Sequence, residues 1–168
     1  MPAPIPVPDI LARRSIRAFT DQPVTEAQIT RLLEAAMAAP SARNTKPWSF
    51  VVVTERETLN RLIFKDAAGM LAQATLCIVV CGEPKLSEYW VQDAAAATEN
   101  ILLAATGMGL GSVWIGVHPH PDSEQAVRDT LDIPAHIHPL CLIAIGHPAE
   151  TKPPRTQYDA ACVHRERW

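Results

Sequence analysis

The amino-acid sequence predicts an α+β domain, and three observations carry that expectation. Four short apolar runs, residues 49–54, 74–81, 112–117 and 139–145, have the composition of strands. Segments of helical spacing lie between them, and one of these, residues 87–106, is apolar nearly all round over 94–97 and 101–105. A helix of that kind must be covered on most sides. The last stretch, residues 151–168, is a tail without helical period. Neither the long central helix nor the detached tail belongs to a regular doubly wound sheet.

The elements follow in order. Residues 1–8 contain four prolines and are expected to form an extended arm. Asp9 is placed to cap a short helix that runs through Leu11 and Ala12. Residues 15–19 read as extended, and Asp21-Gln22-Pro23 as a turn. Thr25 and Gln28 have the spacing of a capping box, and Ile29, Leu32, Leu33 and Ala36 continue at helical period, so a helix spans 26–39 until Pro40 stops it. After the loop 41–48 and its strand, Leu59, Leu62 and Ile63 mark a helix over 55–64. The glycines at 107, 109 and 111 end the long helix, and residues 121–131 form another helix with an acidic first turn.

Composition narrows the function. A chain of 168 residues fits a single domain, residues 1–168, large enough for a real core. Hydrophobic residues are 48% and charged residues 20%, a globular composition. A net charge of −3 lacks the basic excess of a nucleic-acid binder. No apolar run approaches a membrane span, and the first residues lack a signal peptide's charged and apolar regions, so a cytoplasmic protein is expected. The cysteines, at 77, 81, 141 and 162, form no C-x-x-C pair and read as reduced core thiols.

Several constellations could carry chemistry. In Arg13-Arg14-Ser15-Ile16-Arg17 an extended backbone puts Arg13, Ser15 and Arg17 on one face and Ile16 on the other. Two guanidiniums and a hydroxyl on one side make an anion clamp; a solvated basic turn is the alternative. The run from Pro40 through Ser41, Ala42, Asn44 and Lys46 to Trp48 mixes fixed backbone, hydrogen-bonding groups and a flat ring, as binding loops do, or is an ordinary helix-to-strand connection. Gly107-Met108-Gly109-Leu110-Gly111 follows a helix and opens a strand, the reverse of a dinucleotide-binding loop. Trp114-Ile115-Gly116 ends a strand on a residue whose backbone a planar ligand can approach, or is a plain buried strand. The pairs His118/His120 and His136/His138 lack a third ligand at metal-site spacing, and no metal is expected.

In this order the segments resemble the nitroreductase family of FMN-dependent oxidoreductases over nearly the whole chain. The motifs are Arg13 to Arg17 with Phe19, Pro40 to Trp48, the long helix ending in Gly-Leu-Gly and leading to Trp114-Ile115-Gly116, and a last strand ending Ile145-Gly146 before a proline-rich basic tail. The resemblance implies a mostly antiparallel central sheet flanked by helices, in an intertwined homodimer with FMN in its interface and the tail on the partner. It implies FMN contacts from Arg13, Arg14 and Ser15 at the phosphate side and Arg17 near flavin N1 and O2. Pro40, Ser41 and Ala42 would reach the flavin of the other subunit, and Asn44 would support that loop or the ring. Trp114, Ile115 and Gly116 would present a backbone N–H near N5, and Arg155, or less strongly Arg167, a second phosphate contact. It implies ping-pong hydride transfer through flavin N5 from NADH or NADPH to nitroaromatics, quinones or flavins, with no obligatory protein acid or base. A flavin storage or sensing module, or dehalogenation or dehydrogenation on the same fold, are the alternatives. Two departures stand out. Lys46 replaces the usual glutamine before Pro-Trp, and Ala67-Ala68-Gly69-Met70 lacks the Asn or Gln that contacts the flavin pyrimidine edge.

Overall fold

The structure, a computed structural model, describes residues 8–168. Residues 1–7 of the expected proline-rich arm lie outside the described residues. Helix α1 spans Pro8–Ala12, so Asp9 is its second residue rather than its cap. The capping box forms as expected. Thr25 Oγ1 accepts the Gln28 N–H at 3.3 Å, and Gln28 Oε1 accepts the Thr25 N–H at 2.9 Å. They open α2, Glu26–Met37, which buries Ile29, Leu32 and Ala36.

Four strands follow: β1 (Trp48–Val53), β2 (Leu76–Gly82), β3 (Gly111–Gly116) and β4 (His138–Gly146). They form one antiparallel sheet in the order β1-β2-β4-β3. Between them lie α3 (Arg56–Arg61), α4 (Trp90–Gly107) and α5 (Pro121–Leu131), with a 3-10 turn at Asp66–Ala72. The α+β expectation holds. The sheet is covered on both faces, which is why β2 and nearly all of β4 are buried along their length. Leu76, Ile78 and Val80 face α2 and α4, while Cys77, Val79 and Cys81 face α3, α5 and the 3-10 turn. Side chains alternate across the pleat, so one strand supplies both cores.

Helix α4 starts at Trp90, three residues later than its spacing suggested, because Ser87 and Tyr89 are drawn into a turn: Ser87 Oγ accepts the Tyr89 N–H at 3.1 Å. The helix is not covered all round. Ala94, Ala97, Ile101 and Ala105 are buried, whereas Ala95, Ala96 and Ala104 are only half-buried. No helix among the described residues is long and apolar enough to cross a membrane.

The segment after α1 runs beside β3. Ser15 bridges Ser112 in parallel, and the Ile16 N–H donates to the Ser112 carbonyl at 3.0 Å. Ile16 packs directly over Gly111, where any Cβ would come within 2.7 Å of its methyl carbon. The chain after β4 returns along the same edge and brings residues 148–155 onto residues 11–19.

Candidate functional site

A cavity of about 360 Å³ opens at the end of β3. Its floor is Val113–Gly116, and Arg17 and the turn at residues 65–70 supply its walls. The Ile115 side chain is buried in the core, so this residue offers only backbone, while Trp114 is 37% exposed. Gly116 is also exposed, and a Cβ built on it would meet nothing within 4 Å; a side chain there would project into open space that a flat ligand could use.

Arg17 reaches this cavity because its backbone is held from the tail. Glu150 Oε1 accepts the Arg17 N–H at 2.6 Å and the Ala18 N–H at 3.3 Å, and Lys152 Nζ lies 3.1 Å from the same oxygen. The hydrogen bond from Arg17, then Lys152, holds the Glu150 carboxyl below its ordinary range. Lys152 also donates to the Ser15 carbonyl at 2.6 Å. Among the described residues the Arg17 guanidinium has no carboxylate within ion-pair distance, which leaves its donors for a ligand.

The other arginines divide the work. Arg13 Nε lies 3.3 Å from Glu99 Oε1 of α4. Arg14 donates to the Pro153 carbonyl, a contact with the tail rather than with open space. The Arg155 N–H donates to the Leu11 carbonyl at 3.2 Å, so the tail brings Arg155 alongside the segment that carries Arg13. Arg167 makes no contact with that segment among the described hydrogen bonds.

The same cavity is lined by a residue that sequence reasoning missed. Lys65 lies in extended backbone before the 3-10 turn, and its Nζ donates to the Gly116 carbonyl at 2.6 Å. Nothing local in the sequence marks it, because its partner is 51 residues away.

The Pro40 to Trp48 segment builds a second place. Arg43, Asn44 and Lys46 all adopt left-handed backbone, with φ of 53°, 57° and 50°. Each such conformation costs about 1–3 kcal/mol, so the surroundings must hold the loop. Three contacts do so. The Ala42 N–H donates to Asp93 Oδ1, and the Lys46 N–H to Ser41 Oγ, both at 2.9 Å; Thr45 Oγ1 donates to the Ala42 carbonyl at 2.9 Å. Asp93 is itself buried and takes the Ser87 hydroxyl on Oδ2 at 2.8 Å. It too escaped sequence reasoning. A cavity of about 310 Å³ lies between this loop and residues 84–89.

One chain does not bring the two places together. The loop enters β1 and the first cavity ends β3, at opposite edges of the four-stranded sheet. Three strand spacings separate them, about 14 Å. One histidine of each sequence pair does converge with its counterpart. His118 and His138 place Nδ1 2.7 and 3.1 Å from the two oxygens of Glu124, against the Trp90 ring. With Arg128 4.0 Å away, this cluster braces α5 on the sheet. Three thiols are buried, and burial pushes Cys81 and Cys141 up to about 12 and raises Cys77 also; Cys162 is exposed.

Comparison with known proteins gives a consistent result. A model of the nitroreductase family matches residues 10–75 and 63–147. A protein of Archaeoglobus fulgidus, provisionally named NADH dehydrogenase/NAD(P)H nitroreductase, is 44% identical over 95% of this chain and 96% of its own. A crystal structure from Bacteroides thetaiotaomicron with the same provisional name superposes with a TM-score of 0.92 at 40% identity, covering 95% of this chain and 96% of that one. An FMN-dependent nitroreductase from Clostridium difficile gives 0.89 at 30% identity, covering 95% and 98%.

Proposed function

The chain belongs to the nitroreductase family, and on that premise we propose that it is an FMN-dependent oxidoreductase that uses NADH or NADPH to reduce electron-poor acceptors. The observation that carries this reading is the cavity at the end of β3, with a side-chain-free floor at Gly116 and cations from two walls. Its residues fit the group. A flat ring needs a flat approach, which Gly116 allows, and an electron-accepting ring needs positive charge nearby, which Arg17 supplies.

Bound FMN would supply the two-electron chemistry between a nicotinamide and an electron-poor acceptor such as a nitroaromatic, a quinone or free flavin. The chain binds and orients. Arg13, Ser15 and Arg155 hold the phosphate side, with Arg14 fixing the tail beside them. Arg17 would stand on the N1 and O2 side of the ring. Backbone of Ile115 and Gly116 would border N5, with Trp114 at the same edge. In this reading Pro40, Ser41, Ala42 and Asn44 belong to the neighbouring subunit's site. Two features support a homodimer: the loop and the first cavity belong to opposite edge strands, about 14 Å apart across the sheet, and the alanines of α4 are half-buried. In this reading the domain is the single unit 1–168; of the tail, 151–168, Lys152, Pro153 and Arg155 bond to their own chain, and the part beyond Arg155 packs on the partner.

The test is spectroscopic. Purified protein supplied with FMN is expected to be yellow, to run as a dimer, and to bleach on addition of NADH or NADPH under nitrogen. A protein that ignores added FMN sinks the reading. Bound FMN that neither nicotinamide reduces makes the protein a flavin carrier instead.

A further inference from the structure

We propose that Lys65 is a second cationic contact of the flavin ring, which faces Arg17 across the cavity and raises the cofactor's affinity for electrons. The inference rests on the FMN reading above and adds to it a residue that no motif contains.

Lys65 and Arg17 line one cavity from separate walls. An ammonium group has three donors. The Gly116 carbonyl takes one at 2.6 Å, and the Phe64 ring lies 5.1 Å below the charge. Neither neutralises it. Among the described residues no carboxylate lies within ion-pair distance of Lys65, whereas Lys152 is paired with Glu150. Asp66 is the one carboxylate lining the cavity, so Arg17 and Lys65 leave it net positive. The wall that carries Lys65 continues as Ala67-Ala68-Gly69-Met70 and holds no side-chain amide. Lys65 is therefore the side-chain donor this wall can offer to the carbonyl-bearing edge of a flat heterocycle.

The bond to Gly116 sets where that charge sits. It ties the ammonium to the last residue of β3, whose backbone borders the ring in the proposed site. A long flexible side chain is thereby fixed at the cavity mouth instead of sweeping through solvent. Reduced flavin carries one more negative charge than oxidised flavin near neutral pH, so a fixed cation binds the reduced form more tightly. The residue acts on redox balance, beyond adding affinity.

The experiment compares wild type with Lys65→Met, Lys65→Gln and Lys65→Arg, each loaded with FMN. Binding of oxidised FMN is titrated by fluorescence, and the two-electron potential is measured by equilibration with a reference dye. Loss of charge in Lys65→Met is expected to cut the preference for reduced over oxidised FMN about tenfold, a fall of about 30 mV for a two-electron couple. Lys65→Gln keeps a donor without charge and is expected to show the same fall with weaker effect on oxidised FMN. Lys65→Arg is expected to restore the wild-type potential. If Lys65 only pins the turn to β3, Lys65→Met and Lys65→Gln lower the melting temperature and leave the potential unchanged, and the proposal is overturned. If wild type binds no FMN, the functional reading and this inference fall together; if it binds FMN and the potentials agree, this inference alone falls.

Discussion

Asp93 Oδ1 accepts the backbone N–H of Ala42 at 2.9 Å, which joins a buried carboxylate in the first turn of α4 to a loop holding three left-handed residues. Replacing Asp93 with alanine removes a charge-assisted hydrogen bond and leaves Ser87 without its partner. The expected loss of stability is about 2–3 kcal/mol by urea unfolding. FMN affinity is expected to fall as well, since the loop relaxes. A variant with unchanged stability and affinity removes Asp93 from any positioning role.

Arg13→Ala is expected to weaken FMN binding roughly 10–150-fold, the worth of one charge-assisted contact. Glu99→Ala, which frees the Arg13 guanidinium from its 3.3 Å partner, is expected to leave affinity equal or slightly improved. Arg14→Ala is a contrasting case. Its loss is expected to release the tail, seen as faster proteolysis after residue 150, because Arg14 donates to the Pro153 carbonyl.

Glu150 gives the site a pH limit. Its carboxyl is held below the ordinary value of 4.5, first by the Arg17 N–H and then by Lys152. A group whose folded value is depressed contributes its stabilisation above the unfolded value and loses it as pH falls through the folded one. Hydrogen exchange at the Arg17 and Ala18 amides, corrected for intrinsic rates, is therefore expected to speed up as pH drops below about 4.5. Equal protection at pH 6 and pH 3 contradicts this.

The thiols should divide sharply. Cys77, Cys81 and Cys141 are buried with raised values, and Cys162 is exposed. The native protein at pH 8 is expected to release one equivalent of thionitrobenzoate from Ellman's reagent, and four after denaturation. Three or more fast-reacting thiols in the native state would show that the core opens readily.

Gly111→Ala is expected to cost about 1–3 kcal/mol through overpacking against Ile16, since the new Cβ comes within 2.7 Å. The displaced segment carries Arg17, so FMN affinity is expected to drop with stability. Gly69→Ala, where a Cβ meets nothing, is the matched control.

Much of the frame was legible because it is written locally. Thr25 and Gln28 announce α2 three residues apart, and Pro121 to Leu131 reads as a helix with the bounds it adopts. Local patterns misjudged ends. Helical spacing continues through Leu62 and Ile63, yet α3 stops at Arg61; Leu62 is buried from a turn rather than a helix. The site was legible only where a motif marked it. Lys65, Asp93 and Glu150 meet Gly116, Ala42 and Arg17 across 51, 51 and 133 residues. No spacing rule spans such distances, because sheet order decides which residues become neighbours.

The bonds from Arg14, Arg17 and Lys152 that join the segment 14–17, hereafter the arm, to the tail span 133–139 residues. During synthesis the arm leaves the ribosome long before its partners exist. At about 5–20 residues per second the wait is roughly 7–28 s. In that time the segment that carries Arg13 and Arg17 can meet only its partners on β3, Ser112 and Gly111. That segment is thus held from both sides only once residues 150–153 are made, and a product truncated before residue 150 would keep Ile16 on Ser112 but lose the bonds that fix Ser15 and Arg17 from the tail.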